Sequence, residues 1–193
     1  VGREGGTDDA DAMLRRALKY EPESAFLLQS LGALAERRGR ADEAIETYTR
    51  AVRADCAHAP SWVALGLGLQ KRGDEGAAAR CLATARSVAP SSYFVWQVLG
   101  QWHRRRGELA SAREAFRRSL ALNPVNVPTL HAWGVLEWRC GHVEPARLLF
   151  SKGLDIQPRN AYVLQSWGCM EARSGSGANA TRLFRLAARR ACA

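Results

Sequence analysis

Five cations stand at a constant step of 34 along the chain: Arg37, Lys71, Arg105, Arg139 and Arg173. Eight residues before four of them comes a side chain that can read hydrogen-bonding edges, namely Gln29, Gln97, His131 and Gln165, with Val63 breaking the series. Three residues earlier again stand the aromatic rings of Phe26, Phe94 and Tyr162. A cation per step can neutralise successive phosphates, an amide can bond a splayed base edge, and a ring can stack on a base. Together these are the chemistry of a track for single-stranded RNA. The same cation in the last turn of a helix also complements the negative end of the helix dipole, for about 0.3–1 kcal/mol and with no ligand at all. On the residues alone both readings stay open.

Other chemistry is not written here. The sequence lacks a GxxxxGK[ST] phosphate loop, a GxGxxG turn, an HExxH pair and a GxSxG elbow, so no catalysis, cofactor or small-molecule substrate is expected. His58, His103, His131 and His142 form no i, i+4 ligand pair, and exposed or helix-capping roles are expected of them rather than metal ligation. The five cysteines are odd in number and show no CxxC spacing, which predicts small buried apolar groups in an intracellular, reducing compartment. Asn179-Ala180-Thr181 matches a glycosylation acceptor but falls inside a helical pattern. A charged residue interrupts every run that approaches the roughly 18 apolar residues of a membrane span. The first residues show no apolar leader or transit pattern, so any address label has been removed or lies upstream.

The elements that position the five cations follow from the same period. Gly32, Gly66, Gly100, Gly134 and Gly168 recur at 34, as do Gly5, Gly39, Gly73, Gly107, Gly141 and Gly175. So do Ala10, Ala44, Ala78, Ala112, Ala146 and Ala180, each followed four residues on by an apolar side chain. Prolines close the units at Pro22, Pro90, Pro124 and Pro158. These series define a half unit at 1–24 and units at 25–58, 59–92, 93–126, 127–160 and 161–193. Within a unit, apolar residues at positions 4, 7, 8 and 11, and then at 20, 24, 27 and 28, have helical spacing. Glycine at position 15 can close the first helix in a left-handed conformation, and proline at position 32 ends the second. Glycine at position 8 and alanine at position 20 are small where the two helices cross, so Leu at Ala112 or Ala146 would overpack the crossing by about 1–3 kcal/mol. A lone unit cannot bury enough surface to hold itself, so stability must come from stacking. The predicted fold is all-α, a right-handed α-solenoid of antiparallel helix pairs. Positions 2, 5, 9, 12 and 13 of each first helix are left on its free side.

The pattern Trp62, Leu65-Gly66, Trp96, Leu99-Gly100, then Ala112, Phe116 and Pro124 resembles the tetratricopeptide repeat (TPR) across the whole chain. The last two units depart from it. Trp133-Gly134-Val135-Leu136-Glu137 and Trp167-Gly168-Cys169-Met170-Glu171 look like the half-a-TPR variant, whose members are mostly found in RNA-processing machinery. Within that group the run from Pro124 to Phe184 is most similar to chloroplast transcript-stabilising proteins, although Thr181 stands where one arginine of the variant is expected. Trp133 and Trp167 are expected to face the core. Glu137 and Glu171 are expected to pair with an arginine of a neighbouring helix, Arg147 being a candidate.

The distribution of charge favours one of the two readings. Residues 1–92 hold 13 basic and 13 acidic side chains, and residues 93–193 hold 15 basic and 6 acidic, so the whole +9 lies in the second half. Arg104, Arg105 and Arg106 run together there, and Arg117, Arg118, Arg182, Arg185, Arg189 and Arg190 add to the field. A polyanion partner follows, with single-stranded RNA favoured and organellar messenger RNA implied by the resemblance. The alternative is a scaffold that grips a peptide or partner helix in the same groove, or through uncapped ends. A chloroplast stroma, cytoplasm or nucleus would each suit such a protein. The leading residues through about Asp9 are expected to fray, and the absence of a capping helix suggests a piece of a longer array.

Overall fold

A computed structural model describes residues 4–188. The described residues form eleven helices and no strand: α1 (Glu4–Tyr20), α2 (Ala25–Arg37), α3 (Ala41–Ala54), α4 (Ala59–Arg72), α5 (Glu75–Val88), α6 (Tyr93–Arg105), α7 (Leu109–Leu122), α8 (Val127–Arg139), α9 (Val143–Ile156), α10 (Ala161–Arg173) and α11 (Gly177–Ala188). Adjacent helices pair, which is the all-helical solenoid architecture the period predicts. Residues expected to fray are helical from Glu4 onward, and Arg15 holds Asp11 at 2.8 Å one turn away. Arg189, Arg190 and Cys192 lie outside the described residues. None of the described helices is long and apolar enough to cross a membrane.

Glycine at position 15 does what the sequence requires: Gly73 ends α4 at φ 91°, in the left-handed region, and Gly141 follows α8 at φ 83°. Asn126 and Asn160 cap α8 and α10 by accepting from the backbone N–H of Thr129 and Val163. Glycine at position 8 is small for a more specific reason than a helix crossing. A Cβ on Gly134 would lie 2.6 Å from the Phe150 ring, and one on Gly168 would lie 2.7 Å from Phe184. The missing side chain makes room for the aromatic ring at position 24 of the same repeat.

The chain divides into two compact units, Val1–Val95 and Trp96–Ala193. In the first, Ala35, Ile45, Tyr48, Val52, Leu65 and Leu69 share one core. In the second, Phe116 with Leu136, and Phe150 with Val163 and Met170, centre two neighbouring clusters. The buried side of each first helix is wider than the spacing of positions 4, 7, 8 and 11 implies. Position 10 is buried as Leu34, Trp102, Leu136 and Met170, and position 3 as Ser61, Val95, Thr129 and Val163. The reason is that α4, α8 and α10 pack on the second helix of the preceding repeat (α3, α7 and α9) as well as on their own partner. The cysteines are only partly the buried groups expected of them: Cys81 is buried, Cys140 and Cys169 are half-buried and Cys56 is exposed, and all four carry free thiols.

Candidate binding face on the first helices

Two buried carboxylates lock the last repeats together. Glu137 on α8 accepts from Arg113 of α7 at 2.7 and 2.9 Å, from Trp133 Nε1 at 2.8 Å, and bonds His142 Nδ1 at 2.7 Å. Glu171 on α10 repeats the arrangement, taking Arg147 of α9 at 2.6 and 2.8 Å and Trp167 Nε1 at 2.8 Å. The arginine sits at position 21 of one repeat and the tryptophan and glutamate at positions 7 and 11 of the next. Arg147 therefore serves Glu171, while the partner of Glu137 is Arg113. Trp133 stacks on Phe116 and Trp167 on Phe150, so each indole ties the carboxylate to the core. Hydrogen bonding by Arg113 holds the Glu137 carboxyl down to about 2 against the burial that would raise it. Arg147 lowers Glu171 in the same way. These groups are fully used in joining repeats.

The five cations are exposed at position 13, and three of them stand against position 12 of the repeat before. Lys71 bonds the carboxylate of Glu36, which also accepts from Tyr48 Oη at 3.1 Å. Arg173 lies over the Trp138 ring, 5.9 Å from its centroid. Arg139 has Arg104 in the equivalent place, and that guanidinium feels it as a like charge. Arg37 and Arg105 are exposed on their helices.

The other members of the series scatter in environment. Gln97 accepts from Asn126 Nδ2 at 3.0 Å, and His131 bonds Ser166 Oγ at 2.8 Å through Nε2, so both are held by neighbouring repeats. Gln29 is half-buried and Gln165 exposed, while Val63 at the same position is buried. Phe26, Phe94 and Tyr162 are 66%, 41% and 75% exposed. Much of the remaining basic charge is also engaged. Arg117 and Arg118 hold Glu114, Arg118 covers Trp96, and Arg106 holds Glu108 and covers Trp102. Among the histidines, His103 bonds Glu108 at 2.5 Å and His58 bonds Ser61 at 2.7 Å. No group of three or more His, Cys, Asp or Glu that could hold a metal occurs among the described residues.

In the second unit the first helices enclose a cleft of about 320 Å³. Gln101 and Arg104 of α6 form one wall, Pro128, His131 and Val135 of α8 the other, and Tyr162 of α10 the rim. None of its lining residues is acidic. Burial and then Arg104 depress the pKa of His131, which keeps its ring neutral near pH 7. Arg104 is half-buried, and its Nε is buried without a hydrogen-bond partner. Burial, then Arg139 and Arg105, push its pKa down. The sequence placed Arg104 only in a basic run. The missed signal is that position 12 belongs to the free side and reads Glu36, Gln70, Arg104, Trp138 and Ala172, with a single cation.

Comparison with known proteins bears on the fold. Two family models described as tetratricopeptide repeat match, one over residues 2–58 and one over residues 93–124. No curated protein sequence matches the chain. Among solved structures it is similar to a chain of the APC/C hetero-tetramer Cut9-Hcn1, with a TM-score of 0.82 and 17% identity over 95% of this chain and 36% of that one. It is also similar to yeast Tom70, with a TM-score of 0.80 and 16% identity over 93% of this chain and 39% of that one. YrrB, described as a TPR protein with an unusual peptide-binding site, gives 0.60 and 16% over 91% of each chain. The chain thus spans about a third of the length of the first of these, and at such identities the likeness is one of fold. The matches are to tetratricopeptide repeats, and the half-a-TPR and chloroplast resemblance finds no support in them. Residues 2–58 and 93–124 thus match the tetratricopeptide repeat, and the chain has the helix-pair solenoid fold of the TPR structure it resembles.

Proposed function

We propose that the chain is a protein-interaction scaffold that grips a peptide or partner helix across the first helices α6, α8 and α10. The observation that carries this reading is the cleft they enclose, walled by Pro128 and Val135, rimmed by the exposed ring of Tyr162, and supplied with polar groups from Gln101 and Arg104. Apolar walls with a few convergent polar groups suit a side chain presented by a peptide. The peptide-binding site named for YrrB, on the same fold, supports the same use. Single-stranded RNA fits less well, because Lys71, Arg173, Gln97 and His131 already have partners within the protein. A phosphate track needs such groups turned outward at successive steps.

Selection of random dodecapeptides on immobilised protein tests the proposal. Peptides should enrich on the wild type, and Tyr162→Ala or Val135→Glu should remove them without changing the circular dichroism spectrum. An outcome with no enriched peptide, together with binding of an rU oligonucleotide whose log K falls against log salt by about 0.7 per cation, roughly −3 to −4 in all, would return the face to RNA.

A further inference from the structure

Position 12 of one repeat and position 13 of the next stand 35 residues apart, and each structure-defined pair of this kind within a compact unit has its own solution. Glu36 meets Lys71 as an ion pair, and Trp138 meets Arg173 as a ring under a cation. Between α6 and α8 the same two places hold Arg104 and Arg139, which repel. A carboxylate stands opposite the cation in the first case, and the second supplies a π-face. The third has neither, and it opens on the cleft.

Three observations converge there. Arg104 lines the cleft with its Nε buried and unpartnered. The lining residues contain no Asp or Glu. His131, the other basic group of the lining, is already bonded to Ser166 Oγ, which leaves Arg104 as the group without a partner there. Leaving a half-buried guanidinium without a counter-charge is costly, and an entering anion removes that cost.

The geometry points to a carboxylate site: an Asp or Glu side chain of a partner peptide enters the cleft against Arg104, with Arg139 beside it, and takes the place that Glu36 holds against Lys71. This rests on the peptide-scaffold reading and specifies the partner's chemistry. A planar guanidinium matches a carboxylate through two parallel hydrogen bonds. The walls of Pro128 and Val135 accept the methylenes beneath it. An RNA strand would need further cations next along the face, and there Arg173 is held over Trp138.

Fluorescence polarisation with labelled (Gly-Ser-Glu)4, its uncharged counterpart (Gly-Ser-Gln)4 and rU12 tests the assignment on the full chain. The Glu peptide should bind at least about tenfold more tightly than the Gln peptide, the loss expected for one charge-assisted hydrogen bond. Arg104→Gln and Arg139→Gln should each erase that difference, and Arg117→Gln, whose arginine serves Glu114, should leave it intact. Arg104→Glu gives a second readout. It supplies the carboxylate from within, so it should abolish Glu-peptide binding and raise Tm, whereas a residue needed only for packing would lower Tm. Equal affinity for the two peptides, or binding of neither, overturns the carboxylate site. The scaffold reading survives that result if selected dodecapeptides still bind. Preference for rU12, lost in the same variants, overturns both.

Discussion

Removing the guanidinium of Arg147 is the most demanding test of how the last repeats are joined. In Arg147→Met the Glu171 carboxylate, 1% exposed, keeps the neutral donors Trp167 and Ser176 and loses both bonds from arginine. Breaking one side of a buried ion pair costs about 3–5 kcal/mol, because a charge is left without compensation. Arg147 is itself partly exposed, with a side chain at 31%, so the lower end of that range applies. A repeat array does not lose this stability evenly. Each repeat touches mainly its neighbours, so the cost falls on the α9–α10 junction and on α10 and α11 beyond it. Hydrogen–deuterium exchange read by mass spectrometry should therefore show amides of α10 and α11 exchanging on the order of a hundredfold faster, the rate equivalent of roughly 3 kcal/mol, with α2 to α5 unchanged. The double variant Arg147→Met with Glu171→Leu removes both charges and should recover most of the protection, since well-packed apolar replacements of a buried pair are often neutral. Uniform acceleration across the chain, or a double variant no better than the single one, would refute the claim that this pair acts as a local lock.

Three further outcomes follow from the same geometry. Glu137 is held at about 2 against an ordinary 4.5, so its stabilising contribution is complete above pH 4.5 and drains away as pH falls towards 2, on the order of 2–3 kcal/mol; urea midpoints between pH 6 and pH 2.5 should fall less in Glu137→Gln than in the wild type. Gly134→Ala places a methyl group 2.6 Å from the Phe150 ring and should destabilise by about 1–3 kcal/mol despite the better helix propensity of alanine, which a lowered Tm would show. Lys71→Gln breaks an exposed pair with Glu36 and should cost less than about 1 kcal/mol by urea denaturation.

The fold was legible because a period of 34 repeats the same local physics. Gly73 and Gly141 adopt the left-handed backbone that only glycine takes without strain, and Pro124 and Pro158 follow the ends of α7 and α9. Trp133, Trp167, Glu137 and Glu171 were legible for a related reason. A charge on the packed side of a helix has to find a partner, and Arg147 supplies one for Glu171. Arg113 stands at the same 24-residue separation from Glu137, but nothing in the sequence singles it out, and the pairing becomes a contact once α7 rests on α8. The full width of the buried side was also illegible. The apolar spacing of one helix registers its own partner, whereas burial of Thr129 against Ser119, 3.0 Å apart, depends on the helix of the repeat before.

The cation at position 13 shows what a period can and cannot say about function. A residue type that recurs in every repeat has first to satisfy what every repeat needs, and each first helix needs a tie to the one before it. Lys71 on Glu36 and Arg173 on Trp138 are such ties, and they use the charge that the sequence alone offers to phosphates. Binding capacity then resides where the tie is left open. Arg104 opposite Arg139 is that place: two cations, a buried Nε with nothing to bond, and a cleft without an acid in its walls. A stabilising tie was available there, since a Glu at position 104 would have provided what Glu36 provides. An array that keeps arginine at that position sacrifices stability between two repeats and gains a demand for a carboxylate from outside.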